Sequence, residues 1–264
     1  MTNAGAVSAG RPAALITGAS AGIGAEFARQ LADRMCDLIL VARRRDRLEE
    51  LSAQIRALHG IRVEIITADL ASPEAPATIA AAVASLGMQV DILVNNAGFG
   101  THGRFETLDG ARERDEITVN VGALVALTHA FLPGMLERKR GGVINVASTA
   151  SFQPVTYMAV YGATKAFVRS FSAALREEVR GRGVRVLALC PGPTATEFFD
   201  TGVAVVPGPM RTSHDVVKTA LTAFDAGKAV VVDGALNKIM SVLVSPIPAS
   251  LTARISGMLL HPRG

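Results

Sequence analysis

The sequence predicts an α/β fold: a single-domain, doubly wound parallel sheet of about seven strands flanked by helices. Three observations predict it. Seven short apolar runs, rich in β-branched residues, alternate with longer stretches of helical periodicity. Most of the runs are apolar on both faces, as in parallel strands covered by helices on either side. The length of 264 residues is ordinary for one such domain. Hydrophobic residues make up 49% and charged residues 19%, against about 25% charged in typical domains. That balance excludes intrinsic disorder, and Glu and Lys are too scarce for a coiled coil.

In chain order, the strands are expected at 13–17, 37–41, 63–67, 91–94, 143–146, 184–189 and 229–232. The helices are expected at 22–34, 45–58, 72–86, 111–139, 156–180 and 214–225. No run has about 18 uncharged apolar residues, so no membrane span is expected. The opening MTNAGAVSAG lacks the basic start and apolar core of a signal peptide and reads as a flexible tail over 1–10. Cys36 and Cys190 are too few for a disulfide framework or a four-ligand zinc site. They read as buried thiols, and the chain as cytoplasmic. The net charge of +4 is mild, aromatics are 5% and Trp is absent, so no nucleic-acid partner is expected. The histidines show no ligand spacing, so no metal is expected.

The first strand runs into Thr17-Gly18-Ala19-Ser20-Ala21-Gly22-Ile23-Gly24. Gly18 permits a tight turn, Gly22 lets backbone approach a phosphate, and Gly24 lets the next helix pack closely on the strand. The N-terminus of that helix offers its N–H groups and dipole to an anion. The second strand ends in Ala42-Arg43-Arg44-Arg45, with no acidic residue to take ribose hydroxyls. Arg43 and Arg44 instead place cations where a 2′-phosphate would sit, so NADP is expected over NAD.

The run TGASAGIG, then Asp69-Leu70, Asn95-Asn96-Ala97-Gly98, Asn120, Ser148, Tyr161-x-x-x-Lys165 and Pro191-Gly192, resembles the short-chain dehydrogenase/reductase family. The motifs appear in the family's order from about residue 13 to 232. The resemblance implies a Rossmann-type catalytic domain, expected over 11–234; apolar periodicity beyond it reads as a helical C-terminal extension over 235–264. It implies that Gly18, Ser20, Gly22, Ile23 and Gly24 border the dinucleotide, that Asp69 and Leu70 meet the adenine, and that Asn95, Ala97 and Gly98 pack beside the adenosine ribose. Pro191, Gly192, Thr194 and Thr196 then approach the nicotinamide and the phosphates. Tyr161 and Lys165 are expected to bind the nicotinamide ribose side as well as to catalyse.

Tyr161 and Lys165 are four apart in a helical segment and share one face. An ammonium beside a phenol lowers its pKa from the usual value near 10, which makes the pair a sensible general acid/base. A lone Tyr-x-x-x-Lys would more often be plain packing. Ser148 follows the fifth strand, where ligands sit in this architecture, and its hydroxyl can hold a substrate oxygen. The resemblance implies that Asn120 distorts its helix and holds a water that relays protons to Lys165. The expected reaction is hydride transfer between NADP and an apolar ketone, aldehyde or secondary alcohol. A 3-oxoacyl reductase of fatty-acid metabolism and a non-catalytic NADP-binding regulator are the alternatives.

Phe99, His102, Ala150, Phe152, Val155, Tyr157, Gly192, Phe198 and Phe199 are the expected pocket residues, with His102 read more as a surface histidine. Beyond the last strand, Leu236, Ile239, Met240, Leu243 and Val244 form one apolar stripe and Leu251, Ile255, Met258 and Leu259 another, separated by Pro246 and Pro248. These stripes need an apolar partner, which could be the mouth of the substrate pocket, a second subunit or a membrane surface; with only Lys238, Arg254 and Arg263 as cations, membrane contact is the weakest of the three. A homo-oligomer, dimer or tetramer, is expected instead.

Overall fold

In the computed structural model, residues 10–198 and 210–262 are described. All seven apolar runs form strands: β1 (Ala13–Thr17), β2 (Asp37–Ala42), β3 (Val63–Thr67), β4 (Val90–Asn95), β5 (Gly142–Val146), β6 (Arg185–Cys190) and β7 (Val230–Val232). They make one parallel sheet in the order β3-β2-β1-β4-β5-β6-β7. The order reverses between β1 and β4, and a crevice opens at the C-terminal ends of strands on either side of such a reversal.

The helices are α1 (Gly22–Asp33), α2 (Arg45–His59), α3 (Ala75–Ser85), α4 (Gly110–Ile117), α5 (Leu124–Glu137), α6 (Ala159–Glu178), α7 (Ser213–Asp225), α8 (Ala235–Val244) and α9 (Ala249–Leu259). The strands divide their side chains between two cores. Ala14, Ile16, Leu38 and Leu40 pack with Phe27 and Leu31 of α1, Leu48 and Ile55 of α2, and Val216 and Leu221 of α7. Leu15, Ile39, Leu93 and Val143 pack with Ile79 of α3, Leu127 and Met135 of α5, and Leu175 of α6. Successive strand residues point to opposite faces, so an apolar run buried on both sides feeds both layers.

Three elements depart from the expected boundaries. The helix expected over 72–86 begins at Ala75 because Asp69 and Ser72 close turns first: Ala71 N donates to Asp69 Oδ1 (3.1 Å) and Ser72 N to the Asp69 carbonyl (3.1 Å). The helix expected over 111–139 is broken into α4 and α5 by a π-helical turn, Thr118–Ala123, that contains Asn120. The whole run Gly110–Glu137 is long and apolar enough to cross a membrane by length and composition. Here Leu124, Leu127, Thr128 and Met135 are buried in the domain instead. The helix expected from 156 starts at Ala159, because Tyr157 has a left-handed backbone (φ +67°), uncommon for a bulky residue.

Candidate active site

The glycine turn is built as its spacing requires. Gly18 and Gly22 lie in the left-handed region, at φ +65° and +54°. A Cβ on Gly22 would meet Thr196 Cγ2 at 2.9 Å, so the late segment closes over the turn at this point. Gly24 lies against the Gly18 carbonyl with no room for a side chain. The turn is braced from β4. Asn96 Nδ2 donates to the Thr17 carbonyl (2.9 Å), and Asn96 N and Ala97 N both donate to Thr17 Oγ1 (3.0 Å each).

Ala21, the residue at the N-cap of α1, gives no side-chain cap, and the first turn holds no acidic residue. Its N-terminal donors and dipole therefore remain available to an anion. At the end of β2, Arg44 reaches back to this turn, donating to Ser20 Oγ (3.2 Å) and pairing with Glu197 (2.8 Å). Arg43 is exposed beside it. Bare glycine turn, uncapped helix end and adjacent guanidinium fit a phosphorylated dinucleotide. The residues that would hold it are Gly18, Ser20, Gly22, Arg43 and Arg44, with Thr196 opposite.

The catalytic candidates converge beside this turn. Lys165, only 5% exposed, donates from Nζ to the Val146 carbonyl at the end of β5 (2.9 Å). The same ammonium lies 5.7 Å from the centre of the Tyr161 ring. Ser148 caps the short 3-10 turn Thr149–Phe152, with Oγ accepting from Ala150 N (3.1 Å). Asn120 grips the loop after β4: Oδ1 accepts from Phe99 N (3.1 Å), while Nδ2 donates to the Phe99 carbonyl (2.9 Å) and to Thr164 Oγ1 (3.1 Å). A Cβ on Gly98 would meet Asn120 Oδ1 at 2.8 Å and Lys165 Nζ at 3.3 Å, so these two groups flank one bare backbone position.

The electrostatics correct one expectation. The ammonium does not pull Tyr161 down. Burial pushes the phenol up to about 12, the Ser148 hydrogen bond offsets part of that rise, and the Glu116 charge adds to it. Burial also pulls Lys165 down to about 8, against the opposing charge of Glu116. A phenol held in this way keeps its proton at neutral pH, the form a general acid needs.

Other expected residues are placed as follows. The Asn95 side chain lies in the core, donating to Thr128 Oγ1 (3.1 Å) and Asn145 Oδ1 (2.9 Å), and Asn145 donates to Ser172 Oγ (2.9 Å). The neighbouring Asn96, not Asn95, is the amide that faces the glycine turn. Leu70 is buried in the α3-side core, and Asp69 is exposed at the turn it caps. Thr194 Oγ1 is turned back to the Gly192 carbonyl (2.9 Å), and Pro191 O accepts from Thr149 N (2.8 Å). Ile23 packs on the α1-side core.

The expected pocket residues do not form one wall. Phe198 covers Tyr161 at 5.5 Å between ring centres, and Phe99 lies under Arg112. Phe152, Val155 and Tyr157 border a cavity of about 760 Å³ that Tyr161 and Ser148 do not line; it opens on the face of α6 that carries Gly162, Ala163 and Ala166. Phe199 lies outside the described residues. His102 is half-buried rather than at the surface: Nε2 lies 2.7 Å from the Leu260 carbonyl, and Tyr157 packs between His102 and His261.

The geometry places a glycine-rich cradle at the topological switch point beside a Ser–Tyr–Lys cluster. Residues 12–207 match the short chain dehydrogenase family. The chain is 34% identical over 190 residues to the very-long-chain 3-oxoacyl-CoA reductase of Bos taurus, covering 70% of this chain and 60% of that protein. The chain thus spans less than two thirds of that relative's length. Among solved structures, it is similar to a short-chain dehydrogenase from Sphingobium yanoikuyae in complex with NADPH (35% identity, TM-score 0.80, 90% of this chain and 96% of that one). It is also similar to the bulky-bulky ketone specific alcohol dehydrogenase from Comamonas testosteroni (30% identity, TM-score 0.76, 90% and 95%). The chain belongs to the short-chain dehydrogenase family.

Proposed function

We propose that the protein is an NADPH-preferring reductase of apolar ketones or aldehydes, with Tyr161 as general acid. The observation that carries this reading is the convergence of Ser148, Tyr161 and buried Lys165 beside a glycine turn that Arg44 overlooks. The nicotinamide cofactor, when bound, supplies the hydride. The chain's own residues do the rest. Ser148 Oγ holds the substrate carbonyl oxygen. Tyr161 gives that oxygen its phenolic proton. Lys165 steadies the resulting phenolate, and Asn120 fixes the backbone of Phe99 beside it. In the oxidative direction the Tyr161 phenolate takes the proton instead, and the raised pKa leaves little of that phenolate at neutral pH. A turnover screen with NADPH and NADH over apolar ketones, aldehydes and 3-oxoacyl thioesters tests the reading. Fastest turnover on an apolar carbonyl with NADPH is expected, and a panel with no turnover contradicts it.

Two of the comparisons favour different members of this substrate class. The bovine relative's name supports a 3-oxoacyl thioester, and the Comamonas enzyme's supports a bulky ketone. The thioester arm of the same screen separates the two. A non-catalytic regulator would have no need of Ser148, Tyr161 and Lys165 together.

The cofactor preference gives a second expected outcome. NADPH should bind more tightly than NADH by roughly 1–3 kcal/mol, from charge-assisted hydrogen bonds to the extra phosphate. Converting both Arg43 and Arg44 to Ala should bring the two affinities within a few-fold. Glu197 already occupies Arg44. Glu197→Gln should therefore tighten NADPH and leave NADH almost unchanged. Fluorescence titration of both nucleotides reads this, and equal affinities in the unmutated protein would falsify it.

The segment beyond Gly234 is read as a substrate-side cover and a subunit interface. It is tied to its own subunit where Thr156 Oγ1 donates to the Ala253 carbonyl (2.7 Å) and Thr156 N to Ser256 Oγ (3.1 Å). Yet Leu236, Ile239, Leu243, Met258 and Leu259 are exposed, Met258 by 75%. An apolar surface of this kind commonly marks an interaction site. Deleting the chain after Gly234 should lower the mass in solution and weaken substrate binding; unchanged assembly with unchanged substrate affinity contradicts the assignment.

A further inference from the structure

Glu113 and Glu116 are carboxyls on α4 that the reaction above does not use, and both are buried, at 7% and 0% exposure. Among the described residues, neither forms an ion pair. They converge on one hydroxyl. Thr101 Oγ1 lies 2.5 Å from Glu113 Oε1 and 3.1 Å from Glu116 Oε2. A hydroxyl has a single proton and can donate to one carboxylate oxygen only. The two carboxyl oxygens therefore compete for it, and Glu116 Oε2 also accepts from Thr101 N (3.1 Å). Glu116 Oε1 is buried without a hydrogen-bond partner, which disfavours a charge on that group.

The pair is joined to the catalytic groups through the loop after β4. Glu116 Oε2 accepts from Thr101 N (3.1 Å), and one helical turn further on Asn120 holds Phe99 by both N–H and carbonyl. The two residues thus clamp the backbone on either side of Gly100. Gly100 rests on the Tyr161 ring so closely that a Cβ there would meet Tyr161 Cδ2 at 2.9 Å.

We propose that Glu116, held beside Glu113 through Thr101, is a positioning residue whose charge state sets the pH range in which the Tyr161–Lys165 couple works. The inference rests on the catalytic reading of Tyr161. The groups facing Glu116 are Glu113 from its own helix, Tyr161 and Lys165 from α6, and the Thr101 hydroxyl and N–H from the loop. Burial pushes Glu116 up to about 7, and the Glu113 charge adds to the rise. A negative charge here makes both Tyr161 and Lys165 hold their protons more tightly. Its removal should move both groups down together. Only O–H and N–H protons are exchanged, so no oxidant or other co-reactant is involved.

Two measurements on the full chain and its Glu116→Gln variant test the proposal. The first is Tm against pH, which needs no substrate. A carboxyl whose folded value lies above its unfolded value stabilises the fold at low pH, and that contribution is lost as pH rises through the folded value, here about 7. The wild type should lose several degrees between about pH 5 and about pH 8, and E116Q should lose much less. The second is the pH profile of turnover in the oxidative direction, using the best secondary alcohol from the screen. E116Q should keep its maximal rate within a few-fold but shift both limbs of the profile to lower pH, by on the order of one unit. If E116Q does not fold, Glu113→Gln decides by Tm alone: relieved of its like-charged neighbour, Glu116 should end its stability loss at a lower pH. An unchanged Tm–pH curve in the folded variant overturns the carboxyl pair, whatever the activity. A uniform loss of rate with unmoved limbs overturns the link to Tyr161 and leaves Glu116 a purely structural group.

Discussion

Tyr161→Phe should lower turnover by about 10²–10⁴-fold, the usual worth of a positioned proton donor, while leaving the fold and NADPH binding almost intact. Phenylalanine keeps the ring that rests against Gly100 and Phe198. It removes only the hydroxyl that Ser148 engages. Lys165 is committed to the Val146 carbonyl and is held behind the Tyr161 ring. Steady-state kinetics with NADPH, beside a cofactor titration, read the result. Residual turnover above about a tenth of wild type would remove Tyr161 from the role of general acid.

The second large effect is at the cradle. Gly24→Ala should cost about 1–3 kcal/mol of stability, the range for forcing extra atoms into a packed site, and should abolish tight NADPH binding. The new Cβ would press on the Gly18 carbonyl and on Asn96 Nδ2. Neither can yield cheaply. The Gly18 carbonyl is backbone in a left-handed turn, and Asn96 Nδ2 is bonded to the Thr17 carbonyl. A shift of either would displace the start of α1 from the phosphate position. Thermal denaturation and NADPH titration together check this; a variant that binds NADPH like wild type would show that the turn does not carry the nucleotide.

Most of the architecture was legible because seven two-faced apolar runs have few other ways to be covered. The glycine turn and the Tyr161–Lys165 spacing were legible because each has a strict local geometry. What was hidden depends on tertiary partners. Asn95 and Asn96 are adjacent amides at a strand end, and only the strand's register sends one into the core and the other to the glycine turn. The π turn at Asn120 leaves apolar periodicity unbroken, so the run reads as one helix. Glu113 and Glu116 sit in the polar segment GARERDEI, and Thr101, the group that brings them together, comes from another part of the chain. The effect of the Lys165 ammonium on Tyr161 was overestimated because spacing predicts proximity but not burial, and burial dominates both groups. The stripes of α8 and α9 were readable as amphipathic, but which side each would bury was not.

The central claim is that this site delivers a hydride from NADPH to an apolar carbonyl while Tyr161 delivers the proton. Its most direct test is transfer of label from NADPH deuterated at the nicotinamide C4, with the best ketone of the screen and wild type beside Tyr161→Phe. The account predicts an alcohol with one deuterium on the former carbonyl carbon, formed stereospecifically by wild type and almost not at all by the variant. Tight NADPH binding without label transfer to any carbonyl of the panel, or equal transfer by the Tyr161→Phe variant, would contradict it.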